Sequence, residues 1–406
     1  IDACEYNDQT REYYLQQKKK KQPDLNWENL IVRQEIYKMM RWWLDKGVDG
    51  FRMDVIPLIS KRLDFPDADF SDFAKVVEEI YANGPRLHEF LKEMYRVVLG
   101  DYDIMTVGEA PGVSPEQARL YVGESRKELN MIFHFGHMFL DWGGEGKFEL
   151  SDWNLREFKN VFTTWHNAMA EEGWVSIFLD NHDFPRMVSR WGNDKEYHPE
   201  SARLLAILIL TLRGTPTIYQ GSEIGMTNVA FERLEDYRDV ETLNTVRQYK
   251  EQGRDLDALL EAVHKQGRDN VRTPMQWNDD ANAGFTRGEP WIKVNPNYKR
   301  INAKKVLEDK NSLFYFYQKM LKIRKAHPTL IYGDYQPIDE ESEYIFAYRR
   351  WDKDGEYYIF LNFTDKDQPF PLPKGIKLEL ILGNYPETET SVLRPWEGRL
   401  YKNVEY

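Results

Sequence analysis

Three acidic residues in this sequence each stand at the end of a short apolar run: Asp54, Glu109 and Asp183. The runs have the length of single β-strands and lie within residues 47–55, 104–108 and 175–179. Parallel barrel strands place reactive side chains at their carboxyl ends, where the loops build a site. One such residue would carry little meaning, but three predict a site that uses carboxylates for nucleophilic and acid–base chemistry.

The first of these runs also carries an arginine. Side chains alternate along a strand, so Arg52 and Asp54 share one face. A guanidinium at this spacing keeps a carboxylate ionised, which suits a nucleophile. A structural ion pair at a strand end is the alternative interpretation of this pair taken alone.

Helices separate the runs. Apolar residues between Leu30 and Leu44 recur every three or four positions, which predicts a helix capped by Asn26 or Asn29 and ended by Gly47. Further helices are predicted at 73–81, 86–98, 116–122, 155–170, 199–212 and 311–326. Further strands are predicted at 131–135 and 215–220. This alternation indicates βαβ units around a parallel sheet.

Other parts of the chain follow different patterns. Residues 1–27 are polar and irregular. The long interval 228–305, with a helix at 256–265 and a loop at 268–277, is predicted to be a functional excursion. After Tyr332 the pattern predicts a separate antiparallel domain with strands at 344–351, 357–363, 378–382 and 399–404, a turn at 352–355, and prolines at 369, 371 and 373.

Composition excludes several classes of partner. A net charge of −12 over 406 residues argues against nucleic acid and anionic membranes. The lysine run 18–21 is interpreted as a solvated loop. Cys4 is the one cysteine, so no internal disulfide forms and a cytoplasmic location is expected. The aromatic content of 14% is compatible with a carbohydrate site, because apolar ring faces stack on sugars.

Several motifs together resemble the α-amylase family of glycoside hydrolases, and within it the oligo-1,6-glucosidase and α-glucosidase group. The resemblance covers essentially the whole chain. It rests on Gly50-Phe51-Arg52-Met53-Asp54, Val107-Gly108-Glu109, Leu179-Asp180-Asn181-His182-Asp183, Gln22-Pro23-Asp24-Leu25-Asn26, Arg268-Asp269-Asn270 and Arg272-Thr273-Pro274-Met275-Gln276-Trp277.

The resemblance implies a role for each matching residue. Asp54 would be the nucleophile, Glu109 the general acid and base, and Asp183 the carboxylate that stabilises the transition state. Arg52, His182 and Arg268 would contact the sugar or these carboxylates. A retaining glycosidase needs one ionised and one protonated carboxyl group about 5 Å apart. No metal or cofactor takes part in this chemistry.

Neighbouring positions bear on specificity. Val55 resembles the residue found after the nucleophile in α-1,6-cleaving members, so a preference for isomaltose-type bonds is expected. Gly136 stands where related hydrolases carry glutamate, which leaves subsite preferences open. Met275 and Trp277 are expected to pack rather than bind sugar.

The expected fold is α/β, a (β/α)8 TIM barrel followed by a C-terminal antiparallel β domain. This chain resembles barrel strands four to eight only. Strands one to three, the usual calcium loop and a sugar-binding histidine would precede Ile1, so a missing N-terminal segment is an expected partner. The expected domains are 1–29, the end of an inserted domain, 30–328, the catalytic barrel, and 329–406, a β-sandwich.

Two other functions compete with hydrolysis of short α-glucosides. A sucrose isomerase or transglucosylase would use the same covalent intermediate, but residues 139–142 lack the arginine-rich loop that such isomerases share. A catalytically inactive ancillary subunit of an amino-acid transporter would have lost site carboxylates and would carry a membrane span, and neither feature is seen in this sequence.

Overall fold

The computed structural model describes residues 4–16, 22–64, 66, 80–144, 146–370, 375–386 and 391–405. The chain divides into two compact units. The first consists of Ile1–His134 and Glu172–Trp174, and the second of Phe135–Glu171 and Val175–Tyr406. The domain boundaries expected at residues 29 and 328 stay predictions.

The first unit combines a hairpin with three parallel strands. Strands β1 and β2 pair in antiparallel fashion, and β4 pairs in parallel with both β3 and β5. The strands are β1 Cys4–Asn7, β2 Glu12–Leu15, β3 Gly50–Met53, β4 Met105–Glu109 and β5 Met131–Phe133, and the helices are Leu30–Asp45, Leu87–Val97 and Pro115–Val122. Parallel pairing of strands that alternate with helices confirms the predicted βαβ arrangement.

Two sequence expectations in this unit need comment. Residues 1–27 were expected to be irregular, but β1 and β2 form a hairpin in which the rings of Tyr6 and Tyr13 lie 5.0 Å apart across the strands. Such cross-strand aromatic pairs stabilise a sheet that has little apolar content. Most of the helix predicted at 73–81 lies outside the described residues.

The helix that leads into β3 forms as its sequence predicts. The side chain of Asn29 accepts a hydrogen bond from the backbone N–H of Ile31, and Leu44 is buried near the other end. Gly47 follows with φ +92°, a left-handed conformation that costs glycine little. The chain therefore turns sharply from helix into strand.

The second unit contains a parallel strand pair, a short hairpin and an antiparallel sheet. Its strands are β6 Trp142–Gly143, β7 Gly146–Leu150, β8 Val175–Ile177, β9 Thr215–Pro216, β10 Asp334–Ile338, β11 Ile345–Asp352, β12 Gly355–Asn362, β13 Gln368–Pro369, β14 Leu378–Gly383, β15 Val392–Leu393 and β16 Gly398–Asn403. Its helices are Leu155–Ala168, Met187–Trp191, His198–Thr211, Val240–Gln252, Leu256–Gln266, Asp269–Arg272, Ala303–Glu308, Leu313–Ala326 and Thr329–Tyr332.

The C-terminal residues form the antiparallel sheet that the sequence predicts. Five strands lie in the order β10-β11-β12-β16-β14. A two-residue turn joins Asp352 to Gly355, as expected. The four predicted strands agree with β11, β12, β14 and β16 to within two residues at their ends. Strand β10 was missed, and the prolines at 371 and 373 lie outside the described residues.

Two local expectations in the second unit were wrong, and one helix was missed. The strand expected at 215–220 has only two residues, Thr215 and Pro216, although the backbone N–H of Thr217 still donates to the carbonyl of Ile177 at 2.7 Å. The interval 228–305 contains the helix Val240–Gln252, capped by Asp239, which its few apolar residues concealed. The predicted loop at 268–277 includes the helical turn Asp269–Arg272.

Gly50 controls the contact between β3 and β4. Its φ is +146°, and a Cβ atom at this position would lie 1.8 Å from the carbonyl oxygen of Met105. Gly47 is also left-handed, but a Cβ there would meet nothing within 4 Å. A side chain at Gly47 would therefore meet backbone strain alone, whereas a side chain at Gly50 would also overlap Met105.

We predict that Gly50→Ala destabilises the protein much more than Gly47→Ala. Gly47→Ala should cost about 1–2 kcal/mol, the price of a left-handed residue with a side chain. Gly50→Ala should cost more than about 3 kcal/mol, because the strands must also separate. Urea denaturation measures both free energies of unfolding, and equal values would contradict this account of the β3–β4 contact.

Candidate active site

Arg52 and Asp54 form an ion pair at the end of β3. Nη1 of Arg52 donates to Oδ1 of Asp54 at 2.5 Å. The alternation of side chains along β3 brings both groups to one face, as the sequence predicts. The Asp54 side chain is 57% exposed, so solvent or a ligand can reach it.

Glu109 shares the same arginine. Its Oε2 lies 2.7 Å from Nη2 of Arg52 and accepts the backbone N–H of Val55 at 3.0 Å. The Glu109 side chain is only 13% exposed. Burial raises the pKa of Glu109 and the nearby negative charge of Asp54 raises it further, although the Val55 N–H and Arg52 act in the opposite direction. One guanidinium thus joins an exposed carboxylate to a buried one.

Val55 has an unusual backbone. Its φ is +35°, which is rare and strained for a β-branched residue. The N–H of Val55 donates to Glu109, which lies 54 positions later in the sequence. Val55 is also the N-cap residue of the 3-10 turn Ile56–Ile59. The strain is therefore retained beside two candidate catalytic groups.

Asp183 follows β8 in the second unit. The side chain of Asn181 accepts the backbone N–H groups of Asp183 at 2.8 Å and Phe184 at 3.0 Å, which fixes the turn. Oδ1 of Asp183 lies 2.5 Å from Nη2 of Arg272 and 3.4 Å from Nε of Arg268. Two guanidinium groups therefore fix the position of the Asp183 carboxylate.

His182 lies beside the same carboxylate. Its Nε2 is 3.5 Å from Oδ2 of Asp183. Its backbone carbonyl accepts a hydrogen bond from Nε of Arg272 at 2.9 Å. The structure therefore brings His182, Asp183 and Arg268 together, and separately Arg52, Asp54, Val55 and Glu109.

Arg272 and Asp239 were not singled out from the sequence. Nη1 of Arg272 lies 3.4 Å from Oδ1 of Asp239, and Asp239 also lies 3.8 Å from Nη1 of Arg268. The spacing of Arg268 and Arg272 held a usable signal, because residues four apart in a helical turn share a face. Asp239 gave no comparable signal, because it lies 33 positions from Arg272 in the sequence and only the tertiary structure brings the two together.

Glu241 and Lys147 extend this charged group. Oε2 of Glu241 lies 3.4 Å from Nε of Arg268 and also pairs with Nζ of Lys147. Burial lowers the pKa of Lys147, while the Glu241 carboxylate opposes that change. Lys147 and Glu241 stand 94 residues apart, so the sequence alone could not pair them.

Metal ligation has no support among the described residues. Within that part of the chain, no group of three or more His, Cys, Asp or Glu side chains could hold a metal ion. The charged groups described above are paired with one another instead.

Two models of known protein families match this chain. A family model described as the alpha amylase catalytic domain matches residues 2–333. A second model, described as a beta-galactosidase C-terminal domain, matches residues 338–403. The chain belongs to the alpha-amylase family. It is a glycoside hydrolase with the TIM-barrel fold of that family and a C-terminal antiparallel β domain, and the family's chemistry needs no cofactor.

The curated relatives include several glucosidases. The chain is 51% identical over 411 residues to an oligo-1,6-glucosidase of Parageobacillus thermoglucosidasius, and the match covers 98% of this chain and 73% of the relative. It is 43% identical over 401 residues to a glucan 1,6-alpha-glucosidase of Streptococcus pneumoniae, with 98% and 72% covered. The resemblance to the oligo-1,6-glucosidase group is confirmed.

Solved structures agree with this assignment. A trehalose-6-phosphate hydrolase of Bacillus licheniformis is 41% identical with a TM-score of 0.92, covering 98% of this chain and 73% of that chain. An isomaltulose synthase of Klebsiella sp. LX3 is 37% identical with a TM-score of 0.95, covering 99% and 74%. Hydrolases and sucrose-converting enzymes thus share the fold.

We predict that Glu109→Gln stabilises the folded protein near pH 7 by about 1–3 °C in Tm. The pKa of Glu109 is higher in the folded protein than in the unfolded chain. The free energy of unfolding therefore falls as the pH rises from the pKa of the unfolded chain to that of the folded protein, because ionisation is less favourable in the folded state. At pH 4 the carboxyl is mostly protonated in both states, and the advantage of the variant should shrink.

Thermal denaturation between pH 4 and pH 8 checks this expectation. Asp54→Asn is the matched control, because Asp54 is exposed and its charge is paired with Arg52. That control should show no gain at neutral pH. A Glu109→Gln protein that is less stable than the wild type at pH 7 would show that burial does not dominate at Glu109.

Proposed function

We propose that this protein is a retaining α-glucosidase that removes glucose from the non-reducing end of short oligosaccharides and prefers α-1,6 bonds. The observation that carries the proposal is the guanidinium of Arg52, which contacts both Asp54 and Glu109. The relatives named oligo-1,6-glucosidase and glucan 1,6-alpha-glucosidase support the same substrate class.

Asp54 and Glu109 divide the chemistry between them. Asp54, paired with Arg52, attacks the anomeric carbon while Glu109, whose pKa is raised by burial, acts as the acid that gives a proton to the leaving oxygen. The glycosidic bond breaks and a glucosyl ester of Asp54 forms. Glu109, now ionised, removes a proton from water, which attacks the anomeric carbon and releases both glucose and Asp54.

The groups around Asp183 are assigned to substrate. Asp183 is the third carboxylate, which stabilises positive charge on the sugar in the transition state. His182 and Arg268 bind the sugar or orient Asp183, as their contacts allow. Arg272 joins them as a positioning residue because its guanidinium holds Asp183 at 2.5 Å.

Val55 is assigned to linkage preference. Its side chain follows the nucleophile directly, and a branched Cβ narrows the space for the leaving group. Its strained backbone fixes the direction of that side chain. Gly136, which replaces the glutamate of related hydrolases, is expected to alter subsites further along the substrate.

Sucrose isomerisation is the second candidate. The likeness to isomaltulose synthase structures favours it. Against it, residues 139–142 contain no arginine, and Asp141 in this segment is already bound to Arg190 at 2.5 Å and to Gln266 at 2.6 Å. Hydrolysis is therefore the better-supported reaction.

The transporter-subunit alternative has less support. All three candidate carboxylates are present. In the part of the chain that the structure describes, no helix is both long and apolar enough to cross a bilayer.

Several expectations about context remain proposals. The proposed partner is a small oligosaccharide, and neither nucleic acid nor a membrane is proposed as a partner. A cytoplasmic location fits the single, exposed Cys4. A structural calcium ion also stays a prediction.

The function is tested by incubating the intact protein with isomaltose, maltose, trehalose and sucrose and identifying the products. We expect glucose from isomaltose, released first as the α-anomer, and a higher kcat/KM for isomaltose than for maltose. Faster cleavage of maltose, or conversion of sucrose to an isomer as the main reaction, would contradict the proposal.

Val55→Thr tests the linkage assignment in the same assay. We expect the ratio of kcat/KM for isomaltose to that for maltose to fall about tenfold, because a hydroxyl replaces one methyl beside the leaving group. Val404→Thr, the same change at an exposed position, is the control and should leave the ratio unchanged. An unchanged ratio in Val55→Thr would remove Val55 from the account of specificity.

A further inference from the structure

One buried acid of the second unit has no part in the reaction proposed above. Asp269 belongs to the motif Arg268-Asp269-Asn270, and its side chain is fully buried. Burial of a carboxyl group costs free energy, and it raises the pKa of Asp269. An acid in such a place therefore needs partners that an apolar residue could not serve.

The partners of Asp269 are backbone N–H groups of another segment. Its Oδ2 accepts the N–H of Arg238 at 2.5 Å and the N–H of Asp239 at 3.1 Å. These residues lie 31 and 30 positions earlier in the sequence. The two hydrogen bonds join the helical turn Asp269–Arg272 to the residues just before the helix Val240–Gln252.

Both of the joined segments contribute charges to the cluster around Asp183. Asp239 comes from the earlier segment, and its Oδ1 lies 3.8 Å from Nη1 of Arg268 and 3.4 Å from Nη1 of Arg272. The two arginines come from the later segment, and they reach Oδ1 of Asp183 at 3.4 Å and 2.5 Å. The side chain of Asp269 thus sets the spacing between Asp239 and the two arginines that face it.

Asn270, the third residue of the motif, anchors the same turn from another direction. Its side chain is also fully buried, and its Nδ2 donates to the carbonyls of Val263 at 3.2 Å and His264 at 3.1 Å. These carbonyls belong to the helix Leu256–Gln266. The turn is therefore fixed to a helix by Asn270, so that Asp269 can hold the other segment against a firm support.

The second oxygen of Asp269 argues against a role in stability alone. Its Oδ1 is buried and has no hydrogen-bond partner among the described residues. A buried acceptor that is left unpaired costs free energy, which offsets part of what the two N–H bonds contribute. This balance favours a role in positioning over a purely stabilising one.

We infer that Asp269 is a positioning residue for the reaction, which acts through Asp239 on the arginines that hold Asp183. The inference rests on the proposed function, in which Asp183 stabilises positive charge in the transition state. Loss of the Asp269 carboxylate would leave two N–H groups unpaired and release Asp239 from the arginines. Because Asp183 acts on the transition state, this loss should lower kcat rather than raise KM.

The kinetic test uses the intact protein and p-nitrophenyl α-D-glucoside, whose cleavage does not depend on the preferred linkage between sugars. Asp269→Leu keeps a branched side chain but removes both oxygens, and we expect kcat to fall about 10- to 100-fold while KM changes less than about threefold. Asp269→Asn keeps an oxygen that accepts both N–H groups, so it should retain at least about a third of the wild-type kcat. Asp269→Ala replaces the leucine variant if that protein does not fold, with the same expectations.

Asp255→Leu is the matched control. Asp255 is exposed and also accepts two backbone N–H groups, those of Asp257 at 2.9 Å and Ala258 at 3.2 Å, at the start of a helix in the same unit. Its substitution should lower Tm and leave kcat and KM unchanged. A comparable loss of kcat in this control would show that lower stability, and not lost positioning, explains the effect at Asp269.

Two further measurements separate positioning from other roles. The amide protons of Arg238 and Asp239, followed by hydrogen exchange and mass spectrometry, should exchange at least about tenfold faster in Asp269→Leu and at the wild-type rate in Asp269→Asn. Adding Asp269→Leu to Asp239→Ala should change kcat less than about twofold, because the first residue acts through the second.

Three results would overturn the inference. They are an unchanged kcat in a folded Asp269→Leu protein, equal losses of kcat in the leucine and asparagine variants, and additive losses when Asp269→Leu is combined with Asp239→Ala. Inactivity of the wild type towards every α-glucoside would instead reject the proposed function. The exchange rates, which need no turnover, would then decide alone whether Asp269 holds Asp239 in place.

Discussion

The ion pairs of the Arg52 guanidinium are the interactions on which the proposed chemistry of the first unit depends. This guanidinium contacts Asp54 through one terminal nitrogen and Glu109 through the other. Because both carboxylates contact the same positive charge, a difference between their pKa values must come from the rest of their surroundings. Here one is exposed and the other is buried, so burial decides which of them holds a proton more readily.

This arrangement requires close parallel packing of β3 and β4. Gly50 permits that packing because no side chain separates its backbone from the carbonyl of Met105. The same packing brings the N–H of Val55 to Glu109, which links the strained backbone after the proposed nucleophile to the proposed acid. In the second unit, a cluster of arginines and carboxylates holds Asp183 in a similar manner, with charge pairing in place of burial.

Sequence reasoning succeeded where the physical cause is local. Side-chain alternation placed Arg52 and Asp54 on one face, and helical periodicity with the Asn29 cap placed the helix Leu30–Asp45. It failed where the cause lies far away in the chain. The hydrogen bond from the left-handed Val55 to Glu109, like the pairing of Arg272 with Asp239, joins residues that are distant in the sequence. Likewise, Trp277 was expected to pack, but its side chain is 52% exposed, which its neighbours in the sequence did not indicate.

The central claim is that Asp54 is the nucleophile that Arg52 keeps ionised, and covalent trapping tests it most directly. The protein is incubated with 5-fluoro-α-D-glucosyl fluoride, digested with protease and analysed by tandem mass spectrometry. The account predicts a single fluoroglucosyl ester on Asp54, absent from Asp54→Asn. A label on another carboxylate, or an unlabelled Asp54 in a protein that still hydrolyses isomaltose with retention, would contradict it.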